Sequence, residues 1–194
     1  MGPGELEEED PRSLKVRAFF GLPVPGPQRD VLARFIAACA QVAPDFRWNP
    51  AANLHLTIRF VGNVEGALVE AVADALAQHR LGGFEMDLGD VGSFGRGRAA
   101  RVVWVGLRAG AEPVAALAAH VEQECVRVGL APETRPYQVH LTLARSRSRG
   151  GARLAELPAM PRVEPWRADR IVLYSSRLAR TGAVYEAMRT LELA

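Results

Sequence analysis

Two copies of one short motif stand out from the rest of the chain: His55-Leu56-Thr57 and His140-Leu141-Thr142. The 194 residues hold four His and five Thr, so two accidental His-x-Thr matches should arise on the order of a few times in a thousand such sequences. A single match is usually a polar strand face with satisfied hydrogen bonds. A pair allows more, because an imidazole with an unperturbed pKa near about 6.5 can give or take a proton at neutrality. Thr two residues later shares the imidazole's strand face, where its hydroxyl can donate to a phosphate oxygen as charge builds. Opening a cyclic phosphodiester with water needs a base for the water and an acid for the departing ribose oxygen, so one ring must start neutral and the other protonated. Two His without a carboxylate or thiolate beside them fall short of the usual catalytic zinc set, so neither metal nor cofactor is expected.

The flanking residues indicate what positions these motifs. In Asn53–Phe60, Leu54, Leu56, Ile58 and Phe60 alternate with His55, Thr57 and Arg59, the pattern of a strand buried on one face. In Val139–Arg145, Val139, Leu141 and Leu143 alternate with His140, Thr142 and Ala144. Helices are predicted from Val31, Phe35, Cys39 and Val42, closed by Pro44; over Glu65–His79, with Leu68, Val72, Ala75 and Leu76 as its stripe; and over Glu112–Val128, with Leu117, Val121, Cys125 and Val128, stopping at Gly129. Further strands are expected at Val16–Leu22, Phe84–Val91, Arg101–Leu107, Trp166–Ser175 and Ala183–Leu191, with GSFGRGRA as a glycine-rich loop and Ser146–Pro165 as a long connection. Helix, loop and HLT strand thus occur twice; the two His lie 85 residues apart and the two Cys 86 apart. This indicates an internal duplication in an α+β fold.

Length and composition suit a single domain over residues 15–194. Residues 1–14 hold five acids against Arg12 and are expected to form a disordered acidic leader, without the apolar stretch of a secretory signal. The remainder carries a net +6 (23 basic against 17 acidic residues), and every basic residue but Lys15 is Arg, whose planar fork suits phosphate. No apolar run approaches the roughly 20 residues of a membrane span. The cytoplasm is therefore the expected compartment, with no membrane partner and a monomeric state. Cys39 and Cys125 sit in helical apolar patterns and read as buried thiols.

Other residues offer weaker candidates. Arg145 ends the second motif strand and is the basic residue best placed for a phosphate; Arg147 and Arg149 follow in a loop. Arg96 and Arg98, in the glycine-rich loop, are candidate substrate contacts, and Trp48, Phe94 and Tyr137 are candidate faces for a terminal base. His79 and His120, in helical patterns without a Thr, read as incidental.

The chain resembles the two-histidine (2H) phosphoesterase superfamily, and within it the RNA 2′,3′-cyclic phosphodiesterases, also named 2′-5′ RNA ligases. The resemblance is carried in order by RAFFGLPVP, RWNPAANLHLTIRFVGNV, RVVWVGL, RPYQVHLTLARS and LYSSRL…GAVYE, and spans nearly the whole chain after the leader. It implies His55 as proton donor, His140 as proton acceptor, Thr57 and Thr142 as their partners, and Arg145 beside the phosphate, with Arg59 read as solvated. It also implies two pseudo-symmetric lobes, each an antiparallel sheet with outer helices, facing across a central groove. The implied reaction is metal-independent opening of 2′,3′-cyclic phosphate at RNA ends or on small nucleotides to a 2′-phosphate, with weak reverse 2′-5′ joining. Two alternatives stay open: a phosphodiesterase for another cyclic or 2′-5′-linked nucleotide, and a non-catalytic module that binds RNA ends.

Overall fold

The computed structural model describes residues 14–179 and 182–194; of the expected leader, all but Leu14 lies outside the described residues. The first half runs β1 (Lys15–Pro23), α1 (Gly26–Val42), β2 (Phe46–Trp48), a 3₁₀ turn (Ala51–Asn53), β3 (His55–Glu65), α2 (Gly66–Ala77) and β4 (Phe84–Arg96). The second runs β5 (Ala99–Ala109), α3 (Ala111–Arg127), β6 (Leu141–Ser146), β7 (Ala152–Arg153), β8 (Trp166–Ala168), β9 (Arg170–Ala179) and β10 (Gly182–Glu192). Shifting by 85 superposes α1 on α3, both 17 residues long.

Every recorded strand pair is antiparallel, in the order β10-β9-β1-β3-β6-β5-β4-β8, with β2 on β6 and β7 on β5. This is the expected α+β fold of two repeated lobes, and its seam lies between β3 and β6, at the bridge Leu56↔Leu141. The order is symmetric about that seam: β1 flanks β3 as β5 flanks β6. β9 and β4 each lie in the sheet half opposite to their own sequence repeat. β8 and β9 stand at opposite parts of the order yet are separated only by Asp169. Two consecutive Cα steps span at most about 7.6 Å, so the sheet curls until these strands approach each other.

Packing decides which face is free for chemistry. One apolar cluster takes Leu32, Phe35 and Cys39 from α1, Val69, Val72 and Leu76 from α2, and Val114, Val121 and Cys125 from α3, against Leu56, Ile58, Leu141 and Leu143 of the central strands. Both Cys are free, buried thiols, and burial pushes each up to about 11. Fully burying a Leu or Phe side chain is worth roughly 1.5–3 kcal/mol, so this helix-covered face fixes the register. The polar residues between the leucines are left on the other face.

Several local expectations change. GSFGRGRA is largely strand, with β4 pairing β5 out to Arg96↔Ala99, so the turn shrinks to Gly97-Arg98. The expected strand from Trp166 to Ser175 divides at Asp169, where the chain leaves β4 for β1 and β10. The short strand β2 carries no alternation long enough to read. In α1 the stripe is Leu32, Phe35, Ile36 and Cys39, with Val42 exposed at 45%. Gly110 opens α3 with φ 93°, and a Cβ there would lie 2.5 Å from Glu85 O, which makes glycine necessary at that junction.

Candidate active site

The bridge Leu56↔Leu141 sets the relation of the two motifs. Continuing that antiparallel register puts His55 across from Thr142 and Thr57 across from His140, all four opposite in facing to the buried leucines. The two His are then diagonal neighbours, and such positions have Cβ atoms about 7–8 Å apart.

Each imidazole is held in the same way. His55 Nδ1 lies 2.8 Å from Asn53 O, and His140 Nδ1 lies 2.7 Å from Gln138 O. A carbonyl only accepts, so in both rings Nδ1 carries the hydrogen and Nε2 is left for chemistry. His55 Nε2 sits 3.1 Å from Thr57 Oγ1, whose hydroxyl donates to it while the ring is neutral. Asn53 is fixed in turn through its Nδ2, which donates to Ala183 O at 2.8 Å, and Asn49 Nδ2 donates to Thr142 O at 2.9 Å. Tyr137 donates its hydroxyl to Thr57 O at 2.7 Å, tying the approach to the second motif onto the first.

Aromatic rings wall both histidines. Phe19, Tyr185 and Tyr174 surround His55, with centroids 4.5, 5.2 and 6.0 Å away. Phe94 at 5.0 Å and Trp104 at 6.5 Å flank His140. Two glycines make room for these groups. A Cβ on Gly21 would come 3.2 Å from His55 Cδ2, and one on Gly92 would come 2.4 Å from the Trp104 ring. Desolvation lowers His55 to about 4; the Asn53 carbonyl opposes this and the Arg145 charge adds to it. His140 is lowered by the same desolvation and by Arg145, opposed by the Gln138 carbonyl. Both rings therefore favour the neutral form until an anion arrives.

Arg145 acts on both imidazoles, although strict alternation from His140 and Thr142 would turn it to the core. A β-bulge intervenes: Trp104↔Thr142 is followed by Val103↔Ala144, leaving Leu143 extra. Leu143 and Ala144 are both fully buried, and Arg145, opposite Val102, returns to the histidine face. The equivalent bulge in the first half leaves Ile58 extra and moves Arg59 to the core side. Arg59 is not solvated: its side chain is 12% exposed, its Nε donates to Glu122 Oε2, and Nη2 donates to Ala131 O at 2.8 Å.

The remaining candidates divide. Phe94 lies at the site, packed edge-on to His140. Trp48 is opposite the buried Ala144, packs on the core and donates its indole N–H to Ala43 O at 3.1 Å, so it presents no stacking face beside the histidines. Arg96 and Arg98 are exposed near the tip of the β4–β5 hairpin. Among described residues, the trio within metal-sharing distance is His79, His120 and Glu124, which contains neither motif histidine. Sequence reasoning missed Phe19, Tyr174, Tyr185, Trp104, Gly21 and Gly92. Part of the signal was present, because the 85-residue shift maps Phe19 onto Trp104 and Asn53 onto Gln138.

The duplication also appears in comparison with known proteins. The family model "LigT like Phosphoesterase" matches twice, over residues 22–104 and 105–185, with one HLT motif in each match. An RNA 2′,3′-cyclic phosphodiesterase of Aeropyrum pernix is 31% identical over 166 residues, covering 81% of this chain and 92% of that protein. One from Methanothermobacter thermautotrophicus is 31% identical over 188 residues, covering 93% and 100%. The crystal structure of Escherichia coli LigT complexed with 3′-AMP superposes with a TM-score of 0.78 at 26% identity, covering 93% of this chain and 99% of that one. The two matches together cover well over half of the sequence, and the chain belongs to the LigT-like phosphoesterase family.

Proposed function

We propose that this chain hydrolyses 2′,3′-cyclic phosphate at RNA ends to the 2′-phosphomonoester, with residues 15–194 working as one bilobal domain. The observation that carries this reading is the pair of imidazoles on one sheet face, each with Nδ1 on a backbone carbonyl, which leaves Nε2 as the nitrogen for proton transfer. The substrate class follows the names of the relatives from Aeropyrum pernix and Methanothermobacter thermautotrophicus, and the 3′-AMP bound to Escherichia coli LigT supports a nucleotide in the groove.

In the proposed reaction His140 Nε2 takes a proton from water as the water oxygen bonds to phosphorus. The bond from phosphorus to O3′ breaks, and protonated His55 gives its Nε2 proton to that oxygen, leaving the phosphate on O2′. The diester's negative charge, entering between the rings, raises both imidazoles from their lowered values and lets one hold the proton. The Arg145 guanidinium and the hydroxyls of Thr57 and Thr142 stabilise the non-bridging oxygens as charge accumulates. If the 5′-hydroxyl of a second end attacks phosphorus in place of water, giving its proton to His140 while O3′ again leaves with the proton from His55, the product is a weak 2′-5′ joining of ends.

Turnover of an oligonucleotide ending in 2′,3′-cyclic phosphate, assayed in EDTA, tests the reading. His55→Ala and His140→Ala should each lose at least the roughly 10²–10⁴-fold assigned to general acid–base catalysis, with melting temperatures near that of the wild type. Full activity in either variant would refute its role. A wild-type protein that binds the oligonucleotide without cleaving it would identify a binding module instead, and faster turnover of a 2′-5′-linked dinucleotide would move the substrate assignment.

A further inference from the structure

On the helical side of the sheet lies a second cluster with side chains suited to chemistry. His79 follows the end of α2, where its N–H donates to Leu76 O at 3.1 Å. His120 and Glu124 are four residues apart on α3 and so share a helix face. One ligand atom from each of the three lies within 4.8 Å of the other two, and the two imidazoles meet edge to face with centroids 4.6 Å apart.

The hydrogen bonding within this cluster is incomplete. Glu124 is 1% exposed; its Oε2 accepts from Arg127 Nη1 at 2.8 Å, but its Oε1 has no donor, the nearest recorded group being His79 Nε2 at 3.6 Å. His120 Nε2 is also buried, without a partner among the described residues. An unpaired carboxylate oxygen and an unpaired ring nitrogen in one buried place are costly, and native structures rarely keep them without a reason.

We propose that His79, His120 and Glu124 bind one divalent cation of the zinc class and tie the end of α2 to α3. Two imidazole nitrogens and one carboxylate oxygen suit Zn²⁺ or Co²⁺ rather than Mg²⁺ or Ca²⁺, which prefer all-oxygen sets. Around a tetrahedral ion with bonds of about 2.0–2.1 Å, ligand atoms stand roughly 3.4 Å apart. The cluster must therefore contract, and His79, whose side chain is 44% exposed, can swing inward while the two α3 ligands stay on their helix. Arg127 keeps Glu124 Oε2 occupied, leaving Oε1 as a single-toothed ligand. The exposed side of His79 leaves the fourth position to water. The site is separate from the proposed reaction, since α3 packs on the core side of β3, opposite His55.

Untagged, metal-stripped full chain carrying His55→Ala and His140→Ala, which removes the competing imidazoles, is titrated calorimetrically with Zn²⁺. One ion per chain is expected, with visible d–d bands when Co²⁺ replaces it. Adding His79→Ala, a change at an exposed side chain, should weaken binding at least about 100-fold, beyond the roughly 10–100-fold cost of outer-shell changes. Zn²⁺ at about 100 times its Kd should raise the melting temperature by roughly 5–10 °C, and His79→Ala should abolish that rise. If the double variant does not fold, the same substitution in wild-type protein should lower the zinc count by one. Absence of bound zinc in folded protein, or equal affinity with and without His79, would overturn the proposal.

Discussion

The two halves of the sheet share a backbone plan and differ in electrostatics. Each presents a histidine whose Nδ1 donates to the carbonyl two residues earlier, and each has a bulge just after its HLT motif. In the first half the bulge is followed by Phe60, which stands 43% exposed under the guanidinium of Arg17 at 4.7 Å. In the second half the equivalent position is Arg145, whose charge reaches both imidazoles. Three rings close on His55 and two on His140, and only His55 has a recorded bond to its Thr. The two repeats thus offer equivalent settings for an imidazole, and the difference at a single post-bulge position, Phe60 against Arg145, leaves one of them as the source of positive charge for both.

This asymmetry should be measurable. After loss of the histidines themselves, the largest effect is expected from Arg145→Ala, at roughly the 10²–10³-fold in kcat that removing one oxyanion donor costs. The same variant should move the acid limb of the kcat/KM profile to higher pH, because the guanidinium lowers both rings and its removal lets both rise. An unmoved limb would mean that the charge does not act through the histidines.

A smaller difference is expected between the two packing glycines. Gly21→Ala presses directly on His55 and should cost activity by about tenfold, less than the 10²-fold that a 1 Å misplacement can cause. Gly92→Ala collides with Trp104 instead and should act mainly on stability, by about 1–3 kcal/mol as overpacking does. Steady-state kinetics and melting of the two variants side by side would separate these outcomes, and the reverse pattern would reassign which ring is mechanically coupled to its neighbours.

At neutral pH the smallest effect is the one on folding through His55, because it develops only below about pH 6.5. His55 falls from 6.5 to about 4 in the folded chain, so between these values the unfolded state binds more protons and stability rises with pH. Below about pH 4 the full penalty is present, and above about 6.5 it is gone. His55→Phe should flatten the denaturation free energy across that window, which urea unfolding at several pH values would detect; an unchanged slope would place the acid sensitivity elsewhere.

Much of this organisation was legible in one dimension. The repeat spacing and the strand at each motif follow from period-two alternation, a local property, although the second strand begins only at Leu141, just after His140, and not at Val139. Arg145 was legible as a candidate but not as a neighbour of both rings, since alternation alone turns it to the core. The aromatic walls were less accessible still: Tyr174 and Tyr185 belong to β9 and β10, which reach His55 only because β9 pairs with β1. His79 and His120 looked incidental because their helices are remote in sequence and meet only through packing.

The amino-acid order by itself determined the two motifs, their spacing and the chemical types able to exchange protons, because those depend on residue identity and on periods of two to four residues. Tertiary structure decided which strands became neighbours, where the bulges reversed the facing of Arg59 and Arg145, and how far burial lowered the imidazoles. Those outcomes are set by what the opposite strand and the helices offer, and that information lies tens of residues away along the chain.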